Sequence, residues 1–202
     1  MRKICATLAT ALTFSTVTPS LAATSDGDFA VYGWGARDCN TIIAVLNGDQ
    51  AAQAQAQLAE WISGFISAQN RMGEGLYDIT PIKSHVPMVS LARNICANNP
   101  DQLFENVVFA ILENFSALKL VENSPLVQVS HNGQAVSVNE ETIRRVQEVL
   151  IADGKLSEGA ADGQFGPQTA QGIEAWQQEA GVTQNGLPDM VTLFLMGQQI
   201  ER

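Results

Sequence analysis

The side chains able to do chemistry are few. Histidine occurs twice, as His85 and His131, and cysteine three times, as Cys5, Cys39 and Cys96. A catalytic zinc site needs three protein ligands, usually histidines with a carboxylate. The two histidines lie in different segments and no His-Glu-x-x-His pattern is present. A Cys-His nucleophile needs a free thiol. Glycan cleavage can run on one helical glutamate acting as general acid, and Glu60, in Glu60-Trp61-Ile62-Ser63-Gly64, is the residue placed for it. It has no visible partner, so the expectation is a solvated glutamate on a helix. His85 reads as a surface or capping residue and His131 as a loop residue. The sequence therefore predicts no catalytic residue, no metal ligand set and no cofactor.

The first residues set the compartment in which the cysteines would work. Arg2 and Lys3 precede an apolar run from Ile4 to Val17, and small residues follow at Ser20-Leu21-Ala22. This is the plan of a secretory signal peptide over residues 1–22, cleaved after Ala22 or Ala23. The run is too short for a membrane span, and no lipobox surrounds Cys5. Export leaves Cys39 and Cys96, which in an oxidising compartment read as one disulfide rather than two buried thiols. A loop of about 57 residues closed this way is worth about 4 kcal/mol in the chain-entropy model.

The chain carries 11 Lys and Arg against 21 Asp and Glu, a formal charge of −10, and loss of Arg2 and Lys3 makes it more negative. Both halves share the excess. Such a surface repels nucleic acid and anionic lipid headgroups, so recognition must come from shape, hydrogen bonds and stacking.

Residues 29–120 read as four helices. The Gly- and aromatic-rich lead-in, Asp26 to Ala36, is expected to lie extended on the surface. Asp38 is placed to cap a first helix from Cys39 to Leu46, stopped at Asn47-Gly48. Gln50 to Gln69 is the strongest helix, with Leu58, Trp61, Ile62, Phe65 and Ile66 on one stripe and Gly64 placed for close approach of a neighbour. Thr80-Pro81 is expected to open the third helix, with a kink or restart at Pro87, and Asn99-Pro100-Asp101 the fourth. Leu103, Phe104, Val107, Val108, Ile111, Leu112, Phe115 and Leu118 make its apolar stripe. Trp34-Gly35…Cys39, the Trp61–Ala68 helix and Leu91…Cys96-Ala97-Asn98-Asn99-Pro100 resemble the HdeA-like superfamily. That superfamily includes periplasmic acid-stress chaperones and immunity proteins that inhibit wall-degrading effectors.

Residues 121–139 change texture. Pro125–Val129 and Gln134–Val138 alternate apolar and polar residues around His131-Asn132-Gly133, which predicts a short β-hairpin in the connection between two domains. From residue 140 to 202 three helices are expected. Asn139 is placed to cap the first, with Ile143, Val146, Val149 and Leu150 buried. Pro167 begins the second, Gly181 ends it, and Asp189 caps the third. Phe165 is expected to enter the small core.

The motifs in this stretch are specific: Val146-Gln147…Leu150, Asp162-Gly163-Gln164-Phe165-Gly166-Pro167-Gln168-Thr169, Trp176-Gln177, Gly181, and Gly186-Leu187-Pro188-Asp189-Met190-Val191-Thr192. In order and spacing they resemble the peptidoglycan-binding domain found on many bacterial wall hydrolases, with Trp176 where phenylalanine is usual. Most of these residues maintain a fold. The resemblance implies a shallow groove beside the Asp-Gly-x-Phe-Gly turn, with Asp162, Gly163, Gln164, Gln168, Thr169 and Gln177 nearest it and Trp176 in the core. Such modules are often fused to wall hydrolases, but the Glu-Ser pair and later Gly and Tyr motifs of lytic transglycosylases are missing around Glu60.

The sequence thus predicts an all-α protein with a disulfide-tied four-helix domain, a short hairpin and a three-helix domain. Its expected role is that of an exported, noncatalytic protein, periplasmic or secreted, that docks on peptidoglycan or muropeptide and presents a helical protein-interaction domain. The competing expectations are a wall hydrolase, an acid-stress chaperone, and an inhibitor of a wall-degrading enzyme.

Overall fold

The carboxylate of Asp38 accepts the backbone N–H of Thr41 at 2.7 Å, and helix α1 (Cys39–Asn47) follows. The computed structural model describes residues 29–200, so the expected signal sequence and Cys5 lie outside the described residues. Helix α2 (Ala51–Met72) buries Leu58, Ile62 and Ile66. Trp61 and Phe65 stack with ring centres 5.3 Å apart. Gly33–Ala36 form a 3-10 turn rather than an extended lead-in. Trp61 seats against it: the indole Nε1 donates to the Tyr32 carbonyl at 3.0 Å, and a Cβ at Gly35 would collide with the indole ring. Gly64, by contrast, is exposed with no neighbour within 4 Å of a built Cβ, so it is not a point of close helix approach.

Helix α3 (Val86–Cys96) starts at Pro87's turn and not at Thr80-Pro81. The reason lies in Asp78. Its carboxylate accepts the Thr80 N–H and Asn70 Nδ2, both at 3.1 Å, and pairs with Lys83. Thr80 Oγ1 donates to the Ile82 carbonyl at 2.7 Å, which holds the segment in turns. Helix α4 (Phe104–Phe115) likewise begins after the Asn99-Pro100-Asp101 start that the sequence suggests. The carbonyls of Pro100 and Gln102 instead accept the free N–H groups of Asn40 and Cys39 at 3.1 and 2.9 Å, closing the start of α1. A disulfide joins Cys39 to Cys96, the first residue of α1 to the last of α3. Both half-cystines are buried.

The α4 stripe is buried as expected except for Leu103, which is 37% exposed. Glu105 is also buried, at 6% exposure. Burial raises its pKa above the ordinary value. A carboxyl raised in the folded state costs stability when it ionises. That cost is absent below the unfolded-state pKa and complete above the folded one. Glu105→Gln should therefore stabilise the protein by about 1 kcal/mol at pH 7 and leave it unchanged near pH 4. Thermal melts at the two pH values check this, and equal shifts at both would show that charge is not the cause.

Strands β1 (Leu126–His131) and β2 (Gln134–Asn139) form the expected antiparallel hairpin, with Leu126 opposite Asn139 and His131 opposite Gln134. His131 closes the ladder, so it is a strand residue rather than a loop residue. The two-residue turn is Asn132-Gly133, with φ of 50° and 77°, the pair of positive values that a tight hairpin turn of matching twist demands. Helices α5 (Glu140–Ala152), α6 (Pro167–Ala180) and α7 (Met190–Ile200) complete the chain. Gly181 ends α6 with φ of 71°. Asn139 precedes α5 but does not cap it. Its Nδ2 donates to the Ser124 carbonyl at 2.6 Å, while Ser124 Oγ accepts the Glu141 N–H at 3.0 Å and serves as the cap.

The fold is mostly helical, and the C-terminal helices pack against the N-terminal ones. Phe194 of α7 meets Phe115 of α4 edge-on at 6.0 Å, and Gly197 lies so close to the Asn114 carbonyl that a Cβ there would overlap it. Ile82 bridges to Val138, and Leu120 pairs with Asp78. Helices α1 to α7 and the hairpin belong to one compact unit. Among the described residues, no helix is long and apolar enough to cross a membrane.

Candidate functional site

Two buried glutamines organise the C-terminal part. Gln147, on α5, is 1% exposed. Its Nε2 reaches Asp162 Oδ1, the Gln164 carbonyl and Thr169 Oγ1 at 3.0, 3.0 and 3.1 Å, and its Oε1 accepts the Gly163 N–H at 2.8 Å. Asp162 Oδ1 also accepts the Gln164 N–H at 2.9 Å. One amide thus closes the whole Asp162–Gln164 turn onto the start of α6. Gly163 is needed there because φ is 75°.

Gln177, on α6 and fully buried, does the same for the next turn. Its Nε2 reaches Asn185 Oδ1, the Leu187 carbonyl and Thr192 Oγ1 at 2.8, 3.1 and 2.8 Å, and its Oε1 accepts the Gly186 N–H at 2.9 Å. Leu187 N–H donates to Asn185 Oδ1 at 2.9 Å. The correspondence is residue for residue. An Asp or Asn, a Gly, and a Thr seven residues after the acid or amide recur, each latched by a glutamine from the preceding helix. The repeated spacing Asp162-Gly163…Thr169 and Asn185-Gly186…Thr192 is present in the sequence, and it is the signal that could have shown the role of Gln147 and Gln177.

This geometry sorts the six residues expected beside the groove. Gly163, Thr169 and Gln177 are buried in the latches, whereas Asp162, Gln164 and Gln168 are exposed. Asp162 and Gly163 line a cleft of about 410 Å³ together with Val121–Pro125, Glu140, Glu141 and Arg144. Gln168 lines a separate cleft of about 480 Å³ with Gly154–Ser157, Gln171 and Gly172. Phe165 is half-buried rather than a core residue, while Trp176 is 6% exposed and donates from Nε1 to Gln199 Oε1 at 3.1 Å. The expected six residues are thus not one surface.

Residues 139–196 match the family model described as a putative peptidoglycan binding domain. Both glutamine latches fall inside the match, as does the α5 side of the first cleft. No curated protein and no solved structure matches the chain. The HdeA-like resemblance of residues 29–118 gains no support from these comparisons.

The peptidoglycan-binding-like region is electrostatically uneven around the first cleft. Arg144 donates from Nε to Glu141 at 2.7 Å and pairs with Glu141 and Glu148 through its other nitrogens. The hydrogen bond from Arg144 holds the Glu141 carboxyl below its usual range. The Asp162 carboxyl is also lowered, first by the Gln164 N–H and then by Gln147. Among the described residues, Glu122, Glu140 and Asp162 form no ion pair, and the Asp162 carboxylate is instead held by Gln147 and the Gln164 N–H.

The N-terminal helices bring together a pair that the sequence did not suggest. Ser63 Oγ lies 2.7 Å from His85 Nδ1 and 2.8 Å from the Ala59 carbonyl oxygen. A hydroxyl has one proton. It therefore serves either the Ala59 carbonyl or His85 Nδ1, and which one depends on the tautomer of the ring. Burial lowers the pKa of His85, which favours the neutral ring. Glu60 is exposed, and His131 contacts Glu174 at 3.1 Å at the hairpin tip. Among the described residues, no group of three His, Cys, Asp or Glu side chains is placed to hold a metal ion.

Proposed function

We propose that this chain is an exported, noncatalytic protein, periplasmic or secreted and wall-associated, that docks on peptidoglycan through the surface around the Asp162–Gln164 turn. Its N-terminal helices serve as a protein-interaction surface. The observation that supports docking is the family match over residues 139–196, within which both glutamine latches are complete and leave Asp162, Gln164 and Gln168 facing solvent. A rigid turn that exposes polar groups at fixed positions is what recognition of a neutral or weakly charged polymer needs, since bulk charge disfavours an anionic one.

The test is co-sedimentation of the mature chain with purified sacculi. Wild-type protein should leave the supernatant. The Gln164→Ala/Gln168→Ala double variant should bind at least about fivefold more weakly, because two exposed hydrogen-bonding groups are each worth about 0.5–1.5 kcal/mol, with Tm unchanged. Wild-type protein that stays in the supernatant would overturn the reading. A clearing band on a peptidoglycan zymogram would overturn its noncatalytic part.

A further inference from the structure

The hairpin leaves one of its edges open. Its two-residue turn makes His131 and Gln134 a hydrogen-bonded pair, and alternation along the antiparallel ladder does the same for Val129 with Val136 and Val127 with Val138. The N–H and C=O groups of Leu126, Gln128 and Ser130 therefore point away from β2. The β2 edge is covered at its base, where Ile82 bridges to Val138. On the β1 side no further strand follows among the described residues, since the sheet is the pair β1-β2. Sheet edges are usually blunted by a charge, a proline or a bulge. Leu126–Ser130 carries none of them, although the whole chain has a formal charge of −10. Leu126, Gln128 and Ser130 are exposed. The edge is also held in place at both ends. At the tip, Glu174 accepts Asn132 Nδ2 at 3.3 Å and contacts His131 at 3.1 Å, and at the base the Pro125 carbonyl accepts the Glu140 N–H at 2.9 Å.

We propose that β1 pairs with β1 of a second copy of this chain, antiparallel about a two-fold axis at Gln128, so that two hairpins form one four-stranded sheet. The strand's own sequence selects this occupant. Val127-Gln128-Val129 reads the same in both directions, and its centre is a residue whose backbone groups face outward. Setting Gln128 opposite the second copy's Gln128 places Leu126 opposite Ser130, and every outward N–H and C=O of the strand then finds a partner. The same register places Val127 opposite Val129 on the face that buries Val129 and Val138, an apolar cross-strand pair on each side of the axis. A slip of one residue breaks both matches. Because the strip is uncharged, two acidic chains meet there with least repulsion. One strand pair is small against the roughly 1,200 Å² of a stable complex, so the association is weak and reversible. It is independent of docking on peptidoglycan.

Sedimentation equilibrium of the mature chain, loaded at up to about 1 mM, tests this weak pairing. Wild-type protein should dimerise, and more tightly in about 0.5 M than in about 0.05 M NaCl, because salt screens the acidic surfaces. Gln128→Pro removes an N–H that faces solvent in the monomer, a change an edge strand tolerates. It should weaken the dimer at least about tenfold through the hydrogen bonds lost in both copies. Gln128→Lys makes the chain less acidic yet sets two like charges face to face, and should weaken the dimer about fivefold. An equimolar mixture of Gln128→Lys and Gln128→Glu should associate more tightly than either variant alone, and this arm decides the matter if Gln128→Pro fails to fold. A wild-type monomer at every concentration and salt overturns the inference. So does a dimer that folded Gln128→Pro leaves intact, or a mixture no tighter than its separate components. Tighter association of Gln128→Lys than of wild type also overturns it, since net charge rather than strand pairing would then govern the contact.

Discussion

Gln177→Leu is expected to destabilise the protein by about 4 kcal/mol, although it swaps one buried side chain for another of similar size. The estimate follows from what the amide leaves behind. Its Oε1 accepts the Asn185 and Gly186 N–H groups, both at 2.9 Å, and its Nε2 serves Asn185 Oδ1, the Leu187 carbonyl and Thr192 Oγ1. Leucine satisfies none of them. Each buried polar group left without a partner costs about 1–3 kcal/mol, and water reaching the more exposed ones reduces the total. Gln177→Glu should be no better, since it turns a donor towards three acceptors into another acceptor and buries a charge. Urea unfolding gives the measurement: the midpoint should fall with little change in m. A loss under 1 kcal/mol would show that the Asn185–Leu187 turn holds without its latch. Gln147→Leu is expected to behave alike for the first turn.

The two latches also show what was legible in the sequence. Order and spacing of Asp162-Gly163, Thr169, Gln177, Gly186 and Thr192 were visible because backbone geometry demands those residue types: φ is positive at Gly163 and Gly186, and a short hydroxyl must meet the amide. What spacing could not show is direction. The same polar residues read equally as groove contacts or as internal ties, and only burial separates Thr169 and Gln177 from Asp162, Gln164 and Gln168. The helix stripes of α2 and α4 were legible for the usual reason that apolar period reports the buried face.

The errors have other causes. Thr80-Pro81 and Asn99-Pro100-Asp101 carry good helix-start chemistry, but a local turn claims the first and a tertiary contact the second. Thr80 bonds within the Asp78 turn, and the carbonyls of Pro100 and Gln102 close the N-terminus of α1. Asn139 loses its capping role to Ser124, 17 residues upstream of the N–H it serves. Local propensity cannot register a competitor that distant. The connection is likewise held by distant partners: a change of texture marks residues 121–139 in the sequence, and in the structure Leu120 and Ser124 strap its start to Asp78 and Asn139.

Asp78→Ala is the substitution expected to act on that strap, with a loss of about 3 kcal/mol. Asp78 is 6% exposed. Removing one partner of a buried pair commonly costs about 3–5 kcal/mol because the other charge is stranded. Here the Lys83 side chain keeps 35% of its surface in water and can rehydrate, so the ion pair itself contributes less. The larger share comes from the buried Thr80 N–H and from Asn70, whose Nδ2 loses its acceptor while its Oδ1 still holds the Ile79 N–H at 2.8 Å. Two comparisons separate these terms. Asp78→Asn keeps an acceptor for Thr80 and should cost about half as much, and Lys83→Ala should cost under 1 kcal/mol. If Lys83→Ala proves as damaging as Asp78→Ala, the pair rather than the hydrogen bonds carries the stability. Because the backbone of Asp78 pairs with Leu120, the alanine variant should also lose hydrogen-exchange protection at the Leu120 amide. That would loosen the segment leading into Val121–Pro125 without touching any residue of the cleft.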